Sequence, residues 1–130
     1  MEIGTDIIEI ERIERILIRF PRVKRRLFTE REIAYCERQK RPAQHFAARF
    51  AAKESVVKSL GIRRDQTIRF GDIEIVIDDH GKPVVALHGQ AQVLMKERRA
   101  QEIKVSVSHC AAYAVASALL LSREKIDMRE

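Results

Sequence analysis

Tryptophan is missing from this chain, and aromatic residues make up only 5% of its 130 positions. A nucleic-acid-binding module should interleave exposed aromatics with its basic residues, or carry a helix-turn-helix or zinc signature. Neither pattern is present, and most of the phenylalanines fall at core-facing positions. Cysteine occurs twice, at Cys36 and Cys110, and the two are too far apart for a metal or redox motif. They are expected to be free thiols in a reducing cytoplasm. Apolar runs stay well short of the ~18 residues that a membrane span needs. Acids interrupt the opening MEIGTDIIEIERIERI, so no secretory signal is expected. There is no Walker-type glycine loop, which weakens a nucleotide triphosphatase reading. Without linkers, repeats or low-complexity tracts, the expectation is one domain over residues 1–121, followed by a charged tail at 122–130 that frays.

What is present is apolar (45%) and charged (34%) in the proportions of a globular protein. Lysine and arginine exceed aspartate and glutamate by 25 to 19. That excess favours a polyanionic partner such as nucleic acid, lipid, a phosphorylated cofactor or an acidic protein. Residues 2–8 read as a strand and about 9–20 as a helix ended by Pro21. Thr29 and Glu32 form a capping box that starts a second helix near Glu30. Pro42 opens a third, longest helix, which Gly61 stops. The period then changes. Residues 67–78 and 83–88 read as a strand pair around the Asp78–Lys82 turn. A short helix follows at 90–99, and strands at about 103–109 and 113–121 close the chain. The fold class expected is α+β, with an N-terminal strand and helices before a mainly antiparallel sheet.

The third helix carries the most chemistry. Phe46, Ala47, Phe50, Ala51 and Val57 share an arc about 140° wide, with Glu54 and Lys58 inside it and Arg49 and Lys53 on one edge. A carboxylate on a buried arc requires a partner or a cation. The plain alternative is an i,i+4 ion pair between Glu54 and Lys58. Asp6 interrupts an apolar strand just before a helix, where it reads equally as an N-cap or as one half of a hard-cation site with Glu54. Arg12, Arg15, Arg19 and Arg22 form a basic stripe, either a solvated face or a docking face. His109 ends the strand Val105–His109, where histidine is more often structural. Gly81-Lys82-Pro83 is a hairpin turn whose amides and lysine can also meet a phosphate.

Gly4-Thr5-Asp6-Ile7 with Glu9-Ile10-Glu11-Arg12-Ile13 resembles the opening of the holo-[acyl-carrier-protein] synthases. Arg49-Phe50-Ala51-Ala52-Lys53-Glu54 with Lys58 resembles that family's central helix. Gly81-Lys82-Pro83 resembles its hairpin, and Val105-Ser106-Val107-Ser108-His109 with Tyr113-Ala114 resembles its closing motif. The four motifs keep the family's order and spacing over nearly the whole chain. The resemblance implies transfer of 4'-phosphopantetheine from coenzyme A to a serine of an acidic acyl carrier protein, in fatty acid biosynthesis. It implies Mg²⁺ on Asp6 and Glu54, with Lys58 at the phosphates. It also implies coenzyme A contacts from Arg49, His109, Arg41, Gly81, Lys82 and Pro83, and carrier-protein contacts from Arg12, Arg15, Arg19 and Arg22. A homotrimer with active sites between subunits is implied too, with no role in nucleic-acid or membrane binding. After Lys58 the family's Gly-Thr-Gly type loop is replaced by Gly61-Ile62-Arg63-Arg64, and Cys110 stands where a polar residue is usual. The rival readings are a basic nucleic-acid-binding module and an inactive relative that only binds carrier protein.

Overall fold

The computed structural model describes residues 1–63 and 65–122. Arg64 and residues 123–130, which include nearly all of the expected tail, lie outside them. The elements run β1 (Glu2–Glu9), α1 (Ile10–Arg19), α2 (Pro21–Leu27), α3 (Glu30–Glu37) and α4 (Pro42–Leu60). After a 3-10 turn at Phe70–Asp72 come β2 (Ile73–Ile77), β3 (Pro83–Leu87), α5 (Gly89–Glu97), β4 (Ala100–His109) and β5 (Tyr113–Ser122). The α+β expectation holds, but the strands form two antiparallel sheets rather than one: β1-β5-β4 and the hairpin β2-β3. Among the described residues no helix is long and apolar enough to cross a membrane.

Local chemistry explains most boundaries. Pro21 does end α1, but it also opens α2, a helix not anticipated from the sequence. Proline's fixed φ and missing N–H suit the first turn of a helix. The capping box at α3 is complete: Thr29 accepts from the Glu32 backbone, and the Glu32 carboxylate accepts from the Thr29 N–H. Gly61 closes α4 in the left-handed conformation, φ +60°. The strand expected over 67–78 shrinks to Ile73–Ile77. Phe70–Asp72 coil into a 3-10 turn, in which the Asp72 N–H donates to the Arg69 carbonyl and the Ile73 N–H to the Phe70 carbonyl; Lys53 and the His88 N–H hold it from outside at the Phe70 and Asp72 carbonyls. In the hairpin, Asp78 Oδ1 accepts from the His80 and Lys82 amides.

The core sits between α4 and the three-stranded sheet. Ala114, Ala116, Ala118 and Leu120 alternate inward along β5; the last three meet Ala51, Ala52, Val56 and Leu60, and Ala114 joins a second cluster with Ile13, Phe28, Phe46 and Ala47. Small side chains on both surfaces let helix and sheet approach closely. The larger core side chains, Leu60 and Leu120 among them, each contribute roughly 1.5–3 kcal/mol on burial. The other face of the β1–β5 pair is unprotected: Ile3, Ile7, Tyr113 and Val115 are exposed there, with Ile7 paired to Val115.

Candidate active site

The strand pleat turns Gly4, Asp6 and Ile8 of β1 towards α4, while Ile3, Thr5 and Ile7 face away. Gly4 is the point of closest approach. A Cβ there would stand 2.0 Å from the Ser55 carbonyl oxygen and 3.0 Å from the Lys58 Cβ. With nothing in the way, α4 lies on the strand and brings Glu54 and Lys58 alongside Asp6. These three side chains and Arg12 line one cavity of about 560 Å³, with Phe50 and Tyr113 among its apolar walls.

The helix does not present the face expected of it. Phe50, Glu54, Val57 and Lys58 form its least buried strip, while Arg49 and Lys53, expected on an edge, are buried. The reason is that α4 is packed on two sides: against the sheet, and against α1, α3 and β2. Its open strip is therefore the gap between these two contacts, and that gap is the cavity. The i,i+4 pair between Glu54 and Lys58 does not form. Lys58 Nζ instead donates to the Thr5 carbonyl at 2.8 Å and to Asp6 Oδ1 at 3.2 Å. Nor does Asp6 cap a helix; it lies within the strand, and the cap position of α1 is Glu9. Burial pushes the Glu54 carboxyl above the ordinary carboxylate range, and the nearby charge of Asp6 pushes the same way, with Lys58 opposing both. Two carboxylates lining one cavity, the charge of one raising the pKa of the other, favour a bound cation.

A second cluster gathers around His45. Arg49 is 4% exposed. Its guanidinium lies 4.3 Å from the centre of the Tyr35 ring, and its Nε has no hydrogen-bond partner among the described residues. His45 packs against Tyr35 and against His109, the latter at 6.3 Å between ring centres. Burial holds the His45 pKa below its usual value, with Arg49 and His109 adding to the effect. A buried guanidinium with an unused donor beside two imidazole rings makes a ready anion site. The remaining candidates lie elsewhere. Arg41 is exposed at the N-terminus of α4 beside a different cavity with Leu17 and Phe46, and Lys82 and Pro83 line a third, beside Ser106 of β4. Arg15, Arg19 and Arg22 are exposed along α1 and the start of α2, continuing from Arg12 at the cavity. One chain thus unites Asp6, Glu54 and Lys58 but leaves Arg49 with His109, Arg41, and the Gly81–Pro83 turn outside their cavity.

The family model of the 4'-phosphopantetheinyl transferase superfamily matches residues 2–117, spanning all four motifs. The chain belongs to this superfamily. It is 50% identical over 122 residues to the holo-[acyl-carrier-protein] synthase of Moorella thermoacetica, covering 94% of each chain. Among solved structures it is similar to the Plasmodium yoelii holo-ACP-synthase, with TM-score 0.82 and 32% identity over 95% of each chain. The Bacillus anthracis holo-(acyl-carrier-protein) synthase in complex with CoA (3',5'-ADP) gives TM-score 0.75 at 34% identity, covering 94% of this chain and 96% of that one.

Some features of this phosphopantetheinyl transferase were not visible in the sequence. His45 was legible in principle, standing four residues before Arg49 on the same helix, but nothing marked it without His109 beside it. Glu32 was read only as a capping residue, and its second role as the buried partner of Lys53 depends on a contact across 21 residues. Tyr113, which strand alternation puts on the outer face of β5, carries no sign in the sequence that it reaches the cavity.

Proposed function

We propose that this phosphopantetheinyl transferase moves the 4'-phosphopantetheine group of coenzyme A onto a serine of apo acyl carrier protein, with Asp6, Glu54 and Lys58 at the reacting diphosphate. The observation that carries the reading is the meeting of these three side chains in one cavity, from the two sides of the α4–β1 contact. In the transfer the serine oxygen bonds to the β-phosphorus. The bond from that phosphorus to the bridging oxygen breaks, and adenosine 3',5'-bisphosphate leaves with that oxygen.

Asp6 and Glu54 fit a hard divalent cation: both are carboxylates, they share a cavity, and the charge of Asp6 raises the Glu54 pKa. Mg²⁺ on these two would supply neutralisation of the diphosphate and of the charge developing on the departing nucleotide. Lys58, anchored on Asp6 and the Thr5 carbonyl yet half exposed, adds positive charge at the same edge. Such a reaction asks mainly for alignment and charge neutralisation. Glu54, the carboxylate that shares this cavity with Lys58, is the group to receive the serine proton.

Arg49, through its unused Nε, and His109 bind the 3'-phosphoadenosine end, with Arg41 and the Gly81-Lys82-Pro83 turn as further contacts. Since Arg41 and Lys82 line cavities other than that of Asp6, Glu54 and Lys58, and Arg49 and His109 gather around His45 instead, a complete site is best assembled from two neighbouring subunits. The exposed Ile3, Ile7 and Val115 offer an apolar surface for a homotrimer. Two free cysteines, Cys36 and Cys110, accord with a cytoplasmic enzyme. The buried thiol of Cys36 is pushed up to about 11 by desolvation, so it is inert.

Incubation of apo acyl carrier protein with this chain, coenzyme A and Mg²⁺ should add the mass of one phosphopantetheine group to the carrier protein. No added mass under saturating substrates would refute the reading. The arginine stripe yields a second test. Because Arg12 lines the cavity itself, Arg15→Glu with Arg19→Glu isolates docking. This pair should raise the KM for carrier protein by about tenfold or more and leave that for coenzyme A nearly unchanged. An unaltered carrier KM would make the stripe a solvated helix face.

A further inference from the structure

Lys53 precedes Glu54 in α4 but points away from the cavity into the protein, with its side chain 0% exposed. An ammonium that far from water is costly unless other groups replace its hydration. Burial lowers its pKa, and the Glu32 carboxylate opposes that shift. All three lysine donors are used. They reach Glu32 Oε1 at 2.6 Å, the Leu27 carbonyl at 2.7 Å and the Phe70 carbonyl at 3.0 Å. Glu32 is also fully engaged. Its Oε1 accepts from the Thr29 N–H at 2.9 Å and its Oε2 from the Ile75 N–H at 3.2 Å. One ammonium therefore ties the middle of α4 to the end of α2, the start of α3, the 3-10 turn and β2.

Stability alone does not call for this arrangement, because an apolar side chain of similar volume often fills such a space at least as well as a buried ion pair. What the pair adds is direction. An apolar contact tolerates small rotations of a helix, whereas an ammonium with three fixed acceptors does not. Residue 54 follows residue 53 by about 100° around the axis, so a helix held at Lys53 is also held in the angle at which Glu54 enters the cavity. The Gly4 contact fixes the sheet side of α4, and Lys53 fixes the opposite side.

We propose that Lys53 is a positioning residue for the transfer, setting the roll of α4 so that Glu54 faces Asp6 across the cavity. This inference rests on the function proposed above. Lys53→Met alone strands a buried carboxylate, so the test uses Lys53→Met combined with Glu32→Gln. Lys53→Arg, which keeps the charge but changes the donor geometry, serves as a second variant if the double one does not fold. Steady-state kinetics well below the melting temperature should show kcat reduced about 10- to 100-fold, the range that a misplacement near 1 Å produces, with the KM for coenzyme A within about twofold. A purely structural buttress would lower the melting temperature and leave kcat in place. A folded variant with kcat within about twofold of the parent overturns the assignment. Failure of the parent chain to modify apo carrier protein strikes the proposed function instead, whereas an active parent with indifferent variants strikes only the role of Lys53.

Discussion

Glu54→Gln should cut turnover by about a thousandfold or more and yet raise the thermal midpoint at neutral pH in metal-free buffer. The kinetic half follows from the charge that the cavity must stabilise. Removing a group worth several kcal/mol in the transition state costs about a factor of ten for each 1.4 kcal/mol. The stability half follows from the direction of the Glu54 shift. Burial, helped by the charge of Asp6, raises its folded pKa above the ordinary carboxylate value. A group raised in this way favours the folded state only while it is protonated. Its contribution is complete below the unfolded pKa and is lost as pH rises through the folded one. At pH 7 an ionised Glu54 is therefore a burden that glutamine removes, and near pH 4 the two proteins should melt together. Thermal melts at both pH values in chelator, together with initial rates in Mg²⁺, test the two halves separately. Near-normal turnover would remove Glu54 from the site. An equal melting difference at both pH values would show that its carboxyl is not strained by its surroundings.

This opposition of activity and stability also shows why the site was only partly legible in the sequence. The acidic pair could be named, because Asp6 breaks an apolar strand and Glu54 sits in a helix of alanines and phenylalanines. The apolar arc singles out Glu54, but the structure gives that residue a different setting. The arc puts Glu54 on the buried side, whereas Glu54, Phe50 and Lys58 lie on the open strip and the buried charges of the helix are Arg49 and Lys53. Helical periodicity reports one partner surface well but fails when a helix is clasped from two sides, since the two buried arcs merge and the polar residue between them looks internal. Local signals fared better. The capping box at Thr29, the left-handed Gly61 and the Asp78 turn are each determined within a few residues and are found as expected. Long-range polar contacts fared worst: neither the Lys53–Glu32 pair nor the Arg49, His45 and His109 cluster can be read from spacing alone. Pro21 misled for a different reason, since the same ring that stops one helix is well suited to begin the next.

Gly4→Ala should be the most damaging single-methyl change in the chain, lowering the melting temperature by roughly 10 °C and turnover with it. The added Cβ would meet the Ser55 carbonyl oxygen at 2.0 Å and the Ser59 N–H nitrogen at 2.9 Å. Both belong to the backbone, so no rotamer change can relieve them and the helix must move off the strand. Overpacking of a rigid contact costs about 1–3 kcal/mol and occasionally more, and a backbone-to-backbone clash belongs at the upper end. For a domain of this size about 3 kcal/mol corresponds to the stated drop. Turnover should suffer even where the protein remains folded, because Asp6 lies two residues further along the same face of β1 and Lys58 bonds to it from the displaced helix. Gly71→Ala is the matched control. A Cβ at Gly71 meets nothing within 4 Å, so the same added methyl should leave melting and kinetics close to those of the parent. If Gly4→Ala behaved like Gly71→Ala, the closeness of α4 to β1 would not be what holds Asp6, Glu54 and Lys58 together, and the shared cavity would need another cause.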